Sequence, residues 1–153
     1  MSWLRSRLGD GERGSALVEF VFIALVVFVP LIYIVAGFSA VQRVVFASTA
    51  AAREAGRAIA TAPDPTTGQQ RALRAAQLAV EDQSVDATDV RVGYVGPGIA
   101  CGKGGGYSPT LLPGEEFSVC VTVTVRIPFL PEFIDANTAT GQFTVERDRY
   151  IDS

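Results

Sequence analysis

This chain of 153 residues contains no histidine. That removes imidazole general acid–base catalysis, serine triads with histidine as the base, and most zinc sites together. Lysine is nearly absent too: Lys103 is the one lysine among 13 basic residues, and the net charge is −3. With no basic stripe beyond the N-terminus, nucleic-acid binding is not expected. Cysteine occurs twice, as Cys101 and Cys120. Charge is missing over one long block, since no Asp, Glu, Lys or Arg lies between Phe20 and Gln42.

The remaining residues offer little chemistry either. Pro97-Gly98-Ile99-Ala100-Cys101-Gly102-Lys103-Gly104 approaches a phosphate-binding loop and fails it. Its first glycine is displaced, Gly104 stands where Ser or Thr belongs, and Gly105-Gly106 and Pro109 oppose a following helix. The adjacent Glu115 and Glu116 follow Pro113-Gly114 and read as a solvated turn rather than an acid pair. No set of metal ligands stands out. The expectation is a protein that is not an enzyme, with no cofactor, no metal and no small-molecule substrate.

The uncharged block is the main positive feature. From Phe20 to Val41 it runs about 22 residues, or about 33 Å as a helix, against a bilayer core of about 30 Å. Arg5, Arg7 and Arg13 precede it and a more polar stretch follows, which predicts an N-inside, C-outside orientation in the cytoplasmic membrane. Three readings fit: a secretory signal peptide, a permanent single-pass anchor, or a helix processed near Gly14. A signal peptide has a shorter apolar region of about 7–15 residues, although Ala36-Gly37-Phe38-Ser39-Ala40 imitates its cleavage site. Glu19 stands alone at the lip of the block, where a carboxylate is costly and a plain anchor has no need of one. A cut after Gly14 makes Ser15 a charged amine four residues before Glu19, on the same helix face. The plainer reading is that Glu19 snorkels to the headgroups. Pro30, inside the block, predicts a kink or loosening near residues 26–30.

Beyond the block, Val44 to Ala60 is rich in Ala, Arg and Glu, so the first helix is expected to span about residues 15–62. Pro63-Asp64-Pro65 ends it, and a second helix is expected over about Thr67–Gln83. Three strands follow in the pattern. Val90–Val95 alternates; Phe117, Val119, Val121, Val123, Val125 and Ile127 occupy every second position; and a third strand is expected over about Gln142–Tyr150. Residues 96–116 and 128–141 read as loops. The expected fold is α+β: a long apolar N-terminal helix, a second short helix and a small antiparallel sheet of about three strands. The expected divisions are a leader 1–14, a helix 15–62 that spans the membrane over about 20–41, and an extracytoplasmic α+β domain 63–153.

Cys101 falls in the first loop and Cys120 on the polar face of the central strand. In an exported domain they are expected to form a disulfide that pins the loop across the outer face of the sheet, worth about 3 kcal/mol by loop closure. In a cytosolic protein they would be two inert thiols.

Gly14-Ser15-Ala16-Leu17-Val18-Glu19-Phe20, the apolar helix and then Ala51-Ala52-Arg53-Glu54-Ala55-Gly56-Arg57-Ala58 resemble the TadE-like family. These are minor pilins or pseudopilins of tight-adherence (Tad/Flp) pilus systems, and the related TadF branch has similar N-termini. The resemblance covers about residues 13–60; further on only the strand-rich layout and the charged final strand are similar. It implies a prepilin peptidase that cuts between Gly14 and Ser15, and a role for Glu19 as the acidic residue of processing or assembly. It also implies partners: other pilin or pseudopilin subunits, the pilus assembly platform and the lipid bilayer. The alternative is a single-pass membrane protein whose outer domain binds a ligand or partner.

Overall fold

The computed structural model describes residues 10–103, 106–125 and 138–149, with the backbone alone for 10–15. In chain order it contains α1 (Asp10–Ala60), α2 (Pro65–Asp82), β1 (Ala87–Val95), β2 (Glu116–Val125) and β3 (Thr138–Glu146). This is the α+β architecture expected from the sequence. Two compact units divide at Ser39/Ala40, so the second part of α1 belongs to the α+β unit.

In the first unit, α1 stays helical through Pro30. The large apolar side chains from Leu17 to Phe38 are all exposed. No described residue covers them.

In the second unit the helix changes character. Ala47, Ala51, Ala52, Ala55 and Ile59 are fully buried against the sheet, while Arg53, Glu54 and Arg57 face outward. The helix ends where Pro63 stops it, near the expected position. Asp64 then caps α2: its carboxylate accepts the Thr67 N–H at 2.9 Å, with Pro65 in the first turn, where a missing N–H is harmless. That backbone hydrogen bond, first among several, holds the Asp64 carboxyl below its ordinary value. α2 buries Gly68, Ala72, Ala76, Ala79 and Val80, one stripe at helical spacing.

The sheet is antiparallel in the order β1-β2-β3. Phe117, Val119, Val121 and Val123 point into the core and are completely buried, as their alternation predicts. Tyr94 of β1 meets the Phe117 ring edge-on at 6.2 Å. β1 starts earlier than expected and carries an irregularity between Ala87 and Asp89.

The third strand is displaced from the expected Gln142–Tyr150. It runs Thr138–Glu146 because its partner fixes its ends: Thr138 pairs with Thr124 and Glu146 with Glu116, just after the Pro113-Gly114 turn. Thr138–Gly141 had the small, glycine-containing texture of a loop. The glycine has a different purpose, since a Cβ on Gly141 would collide with the Ser48 carbonyl of α1 and lie 2.7 Å from the Thr49 nitrogen. β3 thus touches helix backbone directly. Gly56 mirrors this from the helix side, with Phe143 and Val145 within 2.7–2.8 Å of a hypothetical Cβ. Ile127 and Arg126, expected to continue β2, lie outside the described residues.

Candidate functional site

Two places collect the residues singled out by the sequence: the start of α1 and the outer face of the sheet. Gly14 and Ser15 lie in the first turns of α1, where only the backbone is described; in the uncut chain the Ser15 nitrogen is a helix amide, and the expected charged pair with Glu19 needs the cut. Glu19 is exposed, is the one charge in α1 between Arg13 and Arg43, and makes no hydrogen bond or ion pair among the described residues. Ala16–Ala60 contains a stretch long and apolar enough to cross a membrane, none of it buried within the chain.

On the sheet, the structure brings Cys101 and Cys120 together in a disulfide, with Cα atoms 5.8 Å apart. Cys120 projects from the face of β2 opposite the core, beside Gly93 of β1 and Gln142 of β3 in the ladder. The bridge therefore straps residues 96–103 across the outer face, as the position of the cysteines predicted. Covered in this way, the outer face is not solvated throughout: Cys120 is 8 % exposed and Ser118 is buried. Ser118 shares a hydrogen bond with Thr144 at 2.8 Å, and Thr122 one with Thr140 at 3.0 Å, so the hydroxyls satisfy one another across β2 and β3.

Sequence reasoning missed the side chain that assists the disulfide. Gln142 donates its Nε2 to the Ile99 carbonyl at 3.0 Å and accepts the Cys101 N–H at 3.1 Å. An outward glutamine on a strand gives no signal for this in one dimension, because its partners are 41 and 43 residues away.

Glu115 was read as half of a solvated turn. Here it is the hub of residues 107–115: it accepts from Tyr107 Oη (2.8 Å), Thr110 N (3.0 Å), Thr110 Oγ1 (2.7 Å) and Leu112 N (3.0 Å). Partial burial pulls its carboxyl up, but the hydrogen bonds from Thr110, Tyr107 and Leu112 prevail and hold it below its ordinary value. The Glu115 bond in turn raises Tyr107, with a smaller push from desolvation. Burial pushes Tyr94 up to about 12, and its hydroxyl finds no partner among the described residues.

Arg147 was grouped with the charged end of the last strand. It lies just past β3, is 7 % exposed, and sends Nη1 to the Ala62 carbonyl at 2.9 Å. A cation thus meets the carbonyl end of α1, where the helix dipole favours it.

Beside the strap, along β1 and β2, is an open cavity of about 460 Å³ that the strap borders at Gly102. Its walls include Arg91, Gly93, Tyr107, Cys120 and Thr122. Arg91 pairs with Asp89 on the same strand. Among the described residues no group of three or more His, Cys, Asp or Glu side chains is placed to hold a metal.

Compared with family models, with curated proteins and with solved structures, the chain matches none of them.

Proposed function

We propose that this chain is a TadE-like minor pilin or pseudopilin, held in the cytoplasmic membrane by residues of about 20–41 and used in assembling a Tad/Flp-type pilus. In this reading a prepilin peptidase cuts after Gly14, leaving Ser15 as the new N-terminus. The α+β domain lies outside the membrane, where its disulfide is at home. The released amine of Ser15 and the Glu19 carboxylate attract each other, within the chain or from one subunit to the next. In a low-dielectric surrounding that attraction is strong.

The observation that carries the reading is the exposed apolar part of α1 with Glu19 as its one charge before Arg43. A helix made only to hold the domain in a bilayer would be better without that carboxylate. The cavity beside the strap favours the competing reading, a single-pass protein with an outer ligand-binding domain. The mass of the mature chain separates the two. Coexpression with its prepilin peptidase should yield a protein lacking residues 1–14, and Gly14→Phe should block the cut, since a protease needs an unhindered backbone there. Equal processing of wild type and Gly14→Phe, or a mature chain that keeps Met1, would defeat the pilin reading.

A further inference from the structure

The strap over the outer face is held by very little besides the disulfide. From Pro97 to Lys103 every residue is exposed except Cys101, which is partly buried, and none contributes to the buried core. Its internal hydrogen bonds are two turns, Ile99 N–H to Gly96 O and Lys103 N–H to Ala100 O, each 3.2 Å. Its links to the sheet are the disulfide to β2 and the two Gln142 bonds to β3. Two neutral hydrogen bonds are a weak hold against the backbone freedom of seven or so residues.

The neighbouring segment differs. Residues 107–115 are fastened by the four bonds to Glu115, by buried Pro109 and Leu111, and by the pairing of Gly114 and Glu115 with Arg147. The core offers a second contrast. Phe117, Val119, Val121 and Val123 pack on the opposite face of β2 from Cys120, so the helix–sheet packing does not run through the bridge.

We propose that Cys101–Cys120 is a redox latch: reduction by a dithiol releases residues 97–103 from the sheet while the rest of the α+β unit stays folded. A thiolate of the reductant attacks Cys101 Sγ, on the more open side of the bridge, and Cys120 leaves as a thiolate. The reductant's second thiol then displaces Cys101. The reductant ends as a disulfide and both cysteines end protonated, two electrons and two protons having passed to the protein. Release uncovers the Cys120 thiol, now 8 % exposed, and withdraws Gly102 from the rim of the cavity. Oxidation state then decides whether this patch of the outer face is covered. The latch is independent of the filament reading, since it uses only the geometry of the α+β unit.

Hydrogen exchange followed by mass spectrometry tests it on the full chain in detergent, oxidised and after dithiothreitol, with intact mass confirming two thiols. Amides of Ile99–Lys103 should exchange at least about tenfold faster after reduction. Those of Phe117–Val125 and of the buried part of α1 should change by less than about twofold. Unchanged protection of the strap in fully reduced protein overturns the proposal, as does loss of protection throughout the sheet. Cys101→Ser with Cys120→Ser should reproduce the reduced pattern; if that variant does not fold, reduction of the folded wild type still decides. Gln142→Ala in the oxidised protein should raise strap exchange by less than about threefold. Release equal to that on reduction would give the latch to Gln142 instead and refute the redox assignment.

Discussion

From Leu17 to Phe38, α1 carries Leu, Val, Ile, Phe and Tyr side chains that are 45–72 % exposed; from Ala47 to Ile59 its inward positions are nearly all alanine and are buried. Both stretches are apolar, and both are helical. The difference lies in side-chain size. Large side chains suit a helix surrounded by hydrocarbon, where they fill space and no backbone needs to approach. Small ones suit a helix that another backbone must touch, and β3 comes so close that Gly141 faces the Ser48 carbonyl with no room for a methyl. Residue size, more than hydrophobicity, separates the lipid-type stretch from the protein-packed one.

The sharpest way to break this comparison is to enlarge the contact. Gly141→Ala should destabilise the full chain in detergent by about 3 kcal/mol, because the atoms it strikes are helix backbone that has nowhere to go. Gly56→Ala should cost less than about 1 kcal/mol. Its Cβ meets the ends of Phe143 and Val145, which can turn aside, and alanine returns about 1 kcal/mol of helix propensity. Denaturant unfolding of the two variants reads the difference directly. If Gly141→Ala is as stable as wild type, helix and strand do not approach at backbone distance.

Next in size is the polar tie at the end of the packed stretch. Arg147→Met should cost about 2 kcal/mol, since it deletes a charge-assisted bond and leaves the Ala62 carbonyl buried without its donor. Arg147→Lys keeps a cation without the planar fork and should fall between wild type and methionine. A methionine variant with wild-type unfolding would mean that water serves Ala62 equally well.

How much of this was open to sequence reading follows the same division. The long helix, its end at Pro63, the alternation in β2 and the outward cysteine are local patterns, and they gave the α+β layout and the strap. The third strand was expected from Gln142, with 128–141 as a loop; it starts at Thr138, and the absent side chain of Gly141 answers to Ser48, 93 positions earlier in number. Gln142, Glu115 and Arg147 share that difficulty. Each acts through partners set by tertiary folding: Gln142 through Ile99 and Cys101, Arg147 through Ala62, and Glu115 through a loop whose shape no periodicity specifies. At the start of α1 the position is reversed. The motif around Gly14 and Glu19 is plain in the sequence, and under the proposed function its meaning depends on a peptidase, a membrane and other subunits.

A smaller effect, of about 1 kcal/mol, is expected at the loop hub. Glu115→Gln puts an amide group against donors and should loosen residues 107–115 with the core intact. Because the folded pKa of Glu115 is depressed, its contribution is present above the ordinary value of 4.5 and is lost as pH falls through the lower folded value. Wild-type stability should therefore decline on acidification below about pH 4.5 more steeply than that of the glutamine variant. The raised Tyr107 has the opposite sign: its contribution is present below pH 10 and fades as pH climbs through the folded value. Parallel acid limbs for wild type and Glu115→Gln would remove Glu115 from this role.

The least effect on the fold, and the most informative silence, is expected from Glu19→Gln. Glu19 belongs to the other compact unit, so unfolding of the α+β unit should match wild type within about 0.5 kcal/mol. Membrane levels should hold or rise, since a neutral amide is cheaper than a carboxylate near hydrocarbon. What the proposed function requires is a loss elsewhere: weaker co-purification with other pilus subunits and reduced piliation, because an uncharged glutamine cannot answer the Ser15 amine. Glu19→Asp, which keeps the charge on a shorter arm, should recover part of that loss. A glutamine variant that assembles normally would make Glu19 a boundary residue that snorkels to the headgroups. The large exposed side chains of α1 would then describe an anchor, and the difference between its two stretches would be one of solvent alone.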